Sequence, residues 1–166
     1  MMLKKMRDRF ESIRAIADLS TRAEAIARRR GVVEPAAEHF LLAALEMPDS
    51  SAAQALSALG HDQASLEDAI REQHSETLAI AGIPQEHVVE GEVINGPTDT
   101  GLYRAAATGK LLMQILSRQA RERNSGGFRS LQVLEAALAL RHGVVPRVLK
   151  KLGVADQLVK NSKSVV

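Results

Sequence analysis

The chain has 166 residues and a mass of 18.0 kDa, which is enough for one ordinary domain to fold without disulfides or metals. Hydrophobic residues make up 45% of the sequence and charged residues 25%, a composition that is typical of globular proteins and excludes a disordered chain. Cysteine is absent, which excludes disulfides, thiol catalysis and cysteine-bound metals. We expect a cytoplasmic protein, because no apolar run is long enough to cross a bilayer and no secretion signal opens the sequence.

The net charge of +2 conceals three blocks of alternating sign. Residues 1–30 carry nine Lys and Arg against four Asp and Glu, residues 31–100 carry one against thirteen, and residues 101–166 carry twelve against three. Each block could serve a polar partner, or the blocks could attract one another when the chain folds. We favour attraction between the blocks, because a run of charges usually belongs to a solvated face of the protein and does not by itself indicate an external partner.

Helical periodicity dominates the first half of the chain. Apolar residues recur at three- and four-residue spacing, which predicts amphipathic helices that end at glycine or proline. Ser65 and Asp68 have a spacing similar to that of a capping box and predict the start of the fourth helix. The predicted helices are 10–30 with the apolar stripe Ile13, Ile16, Leu19, Ala23, Ile26 and Ala27, about 36–47 with Phe40, Leu41, Ala44 and Leu45 buried, a short helix from Ser50 or Ser51 to Leu59, and one from Ser65.

The helical pattern stops between Gly82 and Gly101, where glycine and proline interrupt an acidic stretch that is typical of a linker or long loop. Residues 87–94 could form a brief edge strand, but one segment cannot make a sheet. Helices then resume. They are predicted from a cap at Asp99 or Thr100 with the stripe Leu102, Ala105, Ala106, Leu112, Met113, Leu116 and Ala120, from Ser130 with Leu131, Leu134, Ala137 and Leu138, and around Pro146 to Leu152.

The two halves of the chain repeat each other at an offset of 93 residues without a gap. Because the matched positions are mostly core residues and helix ends, the repeated feature is a packing unit that closes a core only when paired. We therefore predict an all-α fold, a single pseudo-twofold bundle of about eight helices, with repeat one at about 10–81, a linker at 82–98, repeat two at about 99–160 and a tail at 161–166. The matched pairs include Ala27 with Ala120, Arg28 with Arg121, Leu41 with Leu134, Leu56 with Leu149, and Gly60 with Gly153.

The sequence offers no catalytic or metal-binding constellation. Residues 96–101 resemble the opening of a phosphate-binding loop, but Leu102 and Tyr103 stand where the loop needs Lys and Ser or Thr. No nucleophile elbow is present. We expect no enzyme, no cofactor and no metal site, since the five histidines lack ligand spacing; they are His39, His61, His74, His87 and His142.

Two clusters of arginine lie at equivalent predicted helix ends and make nucleic-acid binding a second hypothesis. Cations are also expected at helix C-termini because of the helix dipole, and the scarcity of aromatic residues leaves little surface for stacking bases. The clusters are Arg28, Arg29 and Arg30 in the first half, and Arg118, Arg121, Arg123 and Arg129 in the second.

Residues 38–45, Glu-His-Phe-Leu-Leu-Ala-Ala-Leu, followed by Ala-Leu-Ser-Ala-Leu-Gly at 55–60, resemble the signature of the Clp amino-terminal (Clp repeat) domain of the Clp chaperone ATPases. Residues 131–138 and 148–153 match it more loosely, and the resemblance covers about residues 10–160. It implies a bundle of about eight helices that docks substrates, tagged peptides or adaptors for a Clp unfoldase or protease. No ATPase module follows in this sequence, so we expect a domain that acts by docking, either as a free-standing homologue or as a piece of a Clp ATPase.

The resemblance also implies a binding residue. In some members of the family, the Glu of the Glu-His motif recognises the guanidinium of phosphoarginine, and Glu38 occupies that position in the first repeat. A carboxylate suits a planar guanidinium fork, but a carboxylate near a helix start is also favoured by the dipole without any ligand. Leu131 and Gln132 replace the motif in the second repeat, so at most one such site is expected.

Overall fold

A computed structural model describes residues 2–82, 106–122 and 127–157. Within these ranges the chain is helical and has no strand, which confirms the predicted all-α bundle. Residues 154–157 add a single helical turn after the last helix. The helices are α1 (Met2–Arg29), α2 (Ala37–Leu45), α3 (Ser51–Ala58), α4 (Gln63–Ile80), α5 (Ala107–Glu122), α6 (Leu131–Leu138) and α7 (Val144–Lys151).

Helix α1 begins eight residues earlier than the predicted start at Phe10. The first residues are Met, Leu, Lys and Arg, which are all good helix formers, and no proline or glycine interrupts them. The buried part of the predicted stripe is shorter than expected, because no residue of α1 before Leu19 is buried and Ile13 is 56% exposed. The first half of this helix therefore projects beyond the core.

Two other helix starts differ from the prediction. Asp62, three residues before the predicted cap, is the N-cap of α4: its carboxylate accepts a hydrogen bond from the Ser65 N–H at 2.8 Å, and its own N–H donates to Ser65 Oγ at 2.9 Å. The capping box is thus real but lies one turn earlier. Helix α5 begins at Ala107, after Ala106 donates its N–H to the Pro35 carbonyl at 3.1 Å. Ala106 therefore precedes the helix instead of lying on its stripe.

Other sequence predictions fall on residues that the structure does not describe. They are the linker beyond Gly82, the possible strand at 87–94, the caps at Asp99 and Thr100, the stripe residues Leu102 and Ala105, the basic residue Arg123 and the tail at 161–166.

The repeat is visible in the positions of the helix ends. A shift of 93 residues places α3 on α7 residue for residue and makes α1 and α2 end where α5 and α6 end. Ser50 and Gly143, which precede α3 and α7, both have positive φ, at 48° and 108°. Burial follows the same shift of 93 residues, because both residues of each matched pair are at most 1% exposed. The pairs are Leu19 with Leu112, Phe40 with Val133, Leu41 with Leu134, Ala52 with Val145, and Leu56 with Leu149.

Helix α2 lies at the centre of the molecule. All nine of its residues are buried, and it contacts each of the other six helices. Three of those residues, Ala37, Ala43 and Ala44, are small, which allows neighbouring helices to approach closely. One continuous core draws on all seven helices. Any functional side chain on α2 is therefore held by packing on every side.

Candidate functional site

Glu38, the candidate site residue, lies in the first turn of α2 and is only 7% exposed. A carboxylate so far removed from water needs hydrogen bonds or a cation to remain charged. Its Oε1 atom lies 3.3 Å from Nε2 of His74, which projects from α4 and is half exposed. No local pattern in the sequence indicates this partner, because His74 follows Glu38 by 36 residues.

The pKa of Glu38 reflects two opposing effects. Burial alone raises the pKa of Glu38, but a hydrogen bond from His74, a bond from its own backbone N–H and the nearby imidazoles of His39 and His74 outweigh it. The net result is a pKa below the usual value of 4.5. Glu38 is therefore ionised at neutral pH, so the centre of the bundle holds a buried negative charge beside one half-exposed imidazole.

His39 has a structural role. It is 4% exposed, and its Nδ1 atom accepts a hydrogen bond from the Ala36 N–H at 2.9 Å, which satisfies a free donor at the start of α2. Burial lowers the pKa of His39 more than the adjacent Glu38 carboxylate raises it, so the imidazole is neutral at neutral pH. His39 therefore packs and caps the start of α2.

The second repeat lacks an equivalent carboxylate. Leu131 takes the position of Glu38 and packs against the hydrophobic core, while Gln132 takes the position of His39. The backbone N–H of Leu131 donates to Ser51 Oγ at 3.0 Å. The two repeats therefore share a scaffold but differ in the chemistry of this position.

The first arginine cluster is paired within the protein. Arg28 lies 3.7 Å from Glu24 on the same helix, Arg29 lies 3.7 Å from Glu46, and Arg30 lies 3.4 Å from Glu67 on α4. These pairs reduce the positive charge that the end of α1 offers to an external anion. In the second cluster, Arg118, Arg121 and Arg129 are exposed.

The charge blocks attract one another in the folded chain, as we favoured from the sequence. Arg29 and Arg30 join the first basic block to the acidic block. Lys151 joins the second basic block to it, since its Nζ atom lies 2.8 Å from Glu72 and 3.3 Å from Glu76 on α4. Part of the charge segregation therefore serves internal pairing between helices that are distant in sequence.

A basic pocket that the sequence analysis did not single out lies at the start of α7. Its volume is 210 Å³, and no acidic side chain is among the described residues that line it. At the equivalent positions of the first repeat the chain has no basic residue. The pocket is lined by Arg141, His142, Gly143, Pro146, Arg147 and Lys150.

The described residues contain no group of three or more His, Asp or Glu side chains that could hold a metal ion. In the same ranges, none of the helices combines the length and the hydrophobicity that are needed to cross a membrane. No family model matches the sequence, and no curated protein matches it.

Proposed function

We propose that this chain is a non-catalytic protein-binding module of the Clp-repeat kind, which docks substrates, tagged peptides or adaptors for a Clp chaperone or protease in the cytoplasm. The proposal takes its partners from the sequence resemblance. The observation that supports it best is the buried, ionised Glu38 in the first turn of the central helix, with a half-exposed imidazole beside it.

A guanidinium suits the Glu38 carboxylate better than His74 does. One imidazole N–H can satisfy a single carboxylate oxygen, whereas the planar guanidinium fork can donate to both oxygens at once. Guanidinium also stays charged at every pH at which proteins fold, and it is less strongly hydrated than an ammonium group. An arginine or phosphoarginine side chain would therefore bind by displacing His74, whose half-exposed position lets it move towards solvent.

The test is a titration with phosphoarginine and with arginine, followed through the backbone amides by NMR. We expect saturable shifts around Glu38 in the wild type. They should be lost in Glu38→Gln, which keeps the size of the side chain, and strengthened in His74→Ala, which removes the competing donor. If neither the wild type nor His74→Ala showed shifts, the guanidinium site would be overturned.

Nucleic-acid binding is a second candidate, favoured by the basic pocket at the start of α7 rather than by the paired arginines of α1. Phosphate contacts release counterions, so such binding weakens steeply with salt. We expect an Arg141→Ala/Arg147→Ala variant to elute from heparin earlier than an Arg29→Ala/Arg30→Ala variant. Retention of all these proteins that does not change between low and high salt would reject this function.

A further inference from the structure

The first half of α1 carries an apolar stripe that the protein leaves exposed. The stripe consists of four residues at three- and four-residue spacing, and they are 85%, 57%, 63% and 56% exposed in chain order: Leu3, Met6, Phe10 and Ile13. This spacing draws one line along a helix and spans about 15 Å at 1.5 Å per residue. Contiguous exposed apolar residues of this kind mark sites of interaction.

The stripe is not an extension of the surface that α1 packs against the core. The core-facing residues of α1 are Leu19, Ala23, Ile26 and Ala27. At 100° per residue, the stripe lies about 140° around the helix from their mean direction. Ser12 lies on the core side of α1, and its Oγ atom accepts a hydrogen bond from the Phe128 N–H at 3.0 Å. The helix is thus anchored on one side and leaves the stripe open on another.

Positive charge flanks the stripe on both sides. Arg7 and Arg14 lie along one edge and Arg9 lies along the other, and all three side chains are exposed. Arg7 also lies 3.7 Å from the exposed carboxylate of Glu11 on the same helix. These are the positions that face a partner across a helical seam and decide which partner is accepted. A second copy of α1 would place arginine against arginine along both edges, which disfavours self-association.

We infer that this stripe is a docking surface for an amphipathic helix of another protein, with apolar residues along its seam and Glu or Asp along its edges. Burial of the four apolar side chains would provide affinity, and the three arginines would select an acidic partner. The surface lies on α1 and does not use Glu38, so it goes beyond the guanidinium site and succeeds or fails independently of it.

The test uses two synthetic 21-residue helical peptides with Leu at every seam position, one with Glu and one with Lys at the edge positions, and measures their affinity for the full chain by fluorescence anisotropy. We expect saturable binding of the acidic peptide and at least about tenfold weaker binding of the basic peptide. An Arg9→Glu/Arg14→Glu variant should reverse this preference, a result that a merely structural role of the arginines would not produce.

Two further variants separate docking from folding. Phe10→Ser/Ile13→Ser should abolish peptide binding and leave thermal unfolding unchanged, because both side chains are largely exposed in the free protein. Ile80→Ser is the matched control, since Ile80 is 85% exposed on α4 and lies outside the stripe. Three outcomes would each overturn the proposal. They are the absence of saturable binding, equal affinity for both peptides, and a dimer in sedimentation that the Phe10→Ser/Ile13→Ser variant dissociates.

Discussion

The hydroxyl oxygens of Ser51 and Ser130 lie 3.1 Å apart at the interface between the two repeats, and each serine caps the helix of the other. Ser130 Oγ accepts a hydrogen bond from the Ala52 N–H at 3.0 Å, and Ser51 Oγ accepts one from the Leu131 N–H at 3.0 Å. Asp49 completes the network, because its Oδ2 atom accepts from Ser51 Oγ at 2.5 Å and from the Ser130 N–H at 2.9 Å. The starts of α3 and α6 therefore share one hydrogen-bond network.

Removal of either hydroxyl should destabilise the fold. We expect Ser51→Ala and Ser130→Ala each to lower the free energy of unfolding by about 1–2 kcal/mol, because each leaves a helix-terminal N–H unsatisfied. The double variant should lose less than the sum, by about 1 kcal/mol, since both serines belong to one network. Urea unfolding measures these values. Ser57→Ala, at an exposed position of α3, is the control, and strict additivity of the two core variants would contradict mutual capping.

Asp49 should make the stability depend on pH. Burial alone raises the pKa of Asp49, but hydrogen bonds from Ser51 and Ser130 lower it overall, below its usual value of 3.8. Because the pKa is lower in the folded state than in the unfolded state, the contribution is complete above the unfolded pKa and is lost as the pH falls towards the folded pKa. We expect the free energy of unfolding to decrease below about pH 4, and less steeply in Asp49→Asn.

Urea unfolding at a series of pH values between about 3 and 7 measures this difference. Glu38 contributes with the same sign, because its pKa is also lowered, so the Asp49→Asn variant should retain part of the acid sensitivity. Identical pH dependence in the wild type and the variant would show that the network does not hold Asp49 ionised.

The sequence predicted the features of this fold that are set by neighbouring residues. Helices α3 and α7 appear where the serine, proline and glycine signals place them, because those signals act within one helical turn. The predicted start of α1 was wrong, because it relied on a periodicity that reflects packing and not on local helix propensity. Its first two turns have strong helix propensity, but their apolar residues do not face the core, so periodicity alone could not locate where packing begins.

Partners that come from distant parts of the chain could not be predicted. Ser51 and Ser130 were each recognisable as a residue near a helix start, yet nothing local indicates that they cap each other across 79 residues. The same holds for the site. Glu38 was identified through a motif, whereas His74 depends on how α4 packs against α2. Local signals determine elements, and tertiary packing determines which side chains meet.

Ion pairing between the charge blocks should give a small, salt-dependent stabilisation. Arg30 and Glu67 are both about two-thirds buried and join the end of α1 to α4. A double-mutant cycle with Arg30→Met and Glu67→Gln should give a coupling energy of up to about 1 kcal/mol at low salt, decreasing at high salt. The exposed pair Arg71 and Asp68 on α4 is the matched control and should couple more weakly. No measurable coupling between Arg30 and Glu67 at low salt would mean that this ion pair does not stabilise the fold.

The glycines that end α3 and α7 provide a matched test of the repeat. Gly60 and Gly153 have φ of 81° and 69°, and a Cβ atom at either position would meet no other atom within 4 Å. Substitution by alanine therefore costs only the left-handed backbone strain, about 1–2 kcal/mol. We expect Gly60→Ala and Gly153→Ala to lower the free energy of unfolding by similar amounts, as measured by urea titration.

Gly127→Ala is the control for this pair of substitutions. Gly127 does not have positive φ, and its added Cβ would lie 3.9 Å from Ser12 Oγ, an ordinary contact distance. This variant should be neutral or more stable by up to about 1 kcal/mol, because alanine restricts the unfolded chain. A neutral Gly153→Ala beside a destabilising Gly60→Ala would show that the two helix ends are not energetically equivalent. The similarity of the two repeats would then be limited to the packing of their core residues.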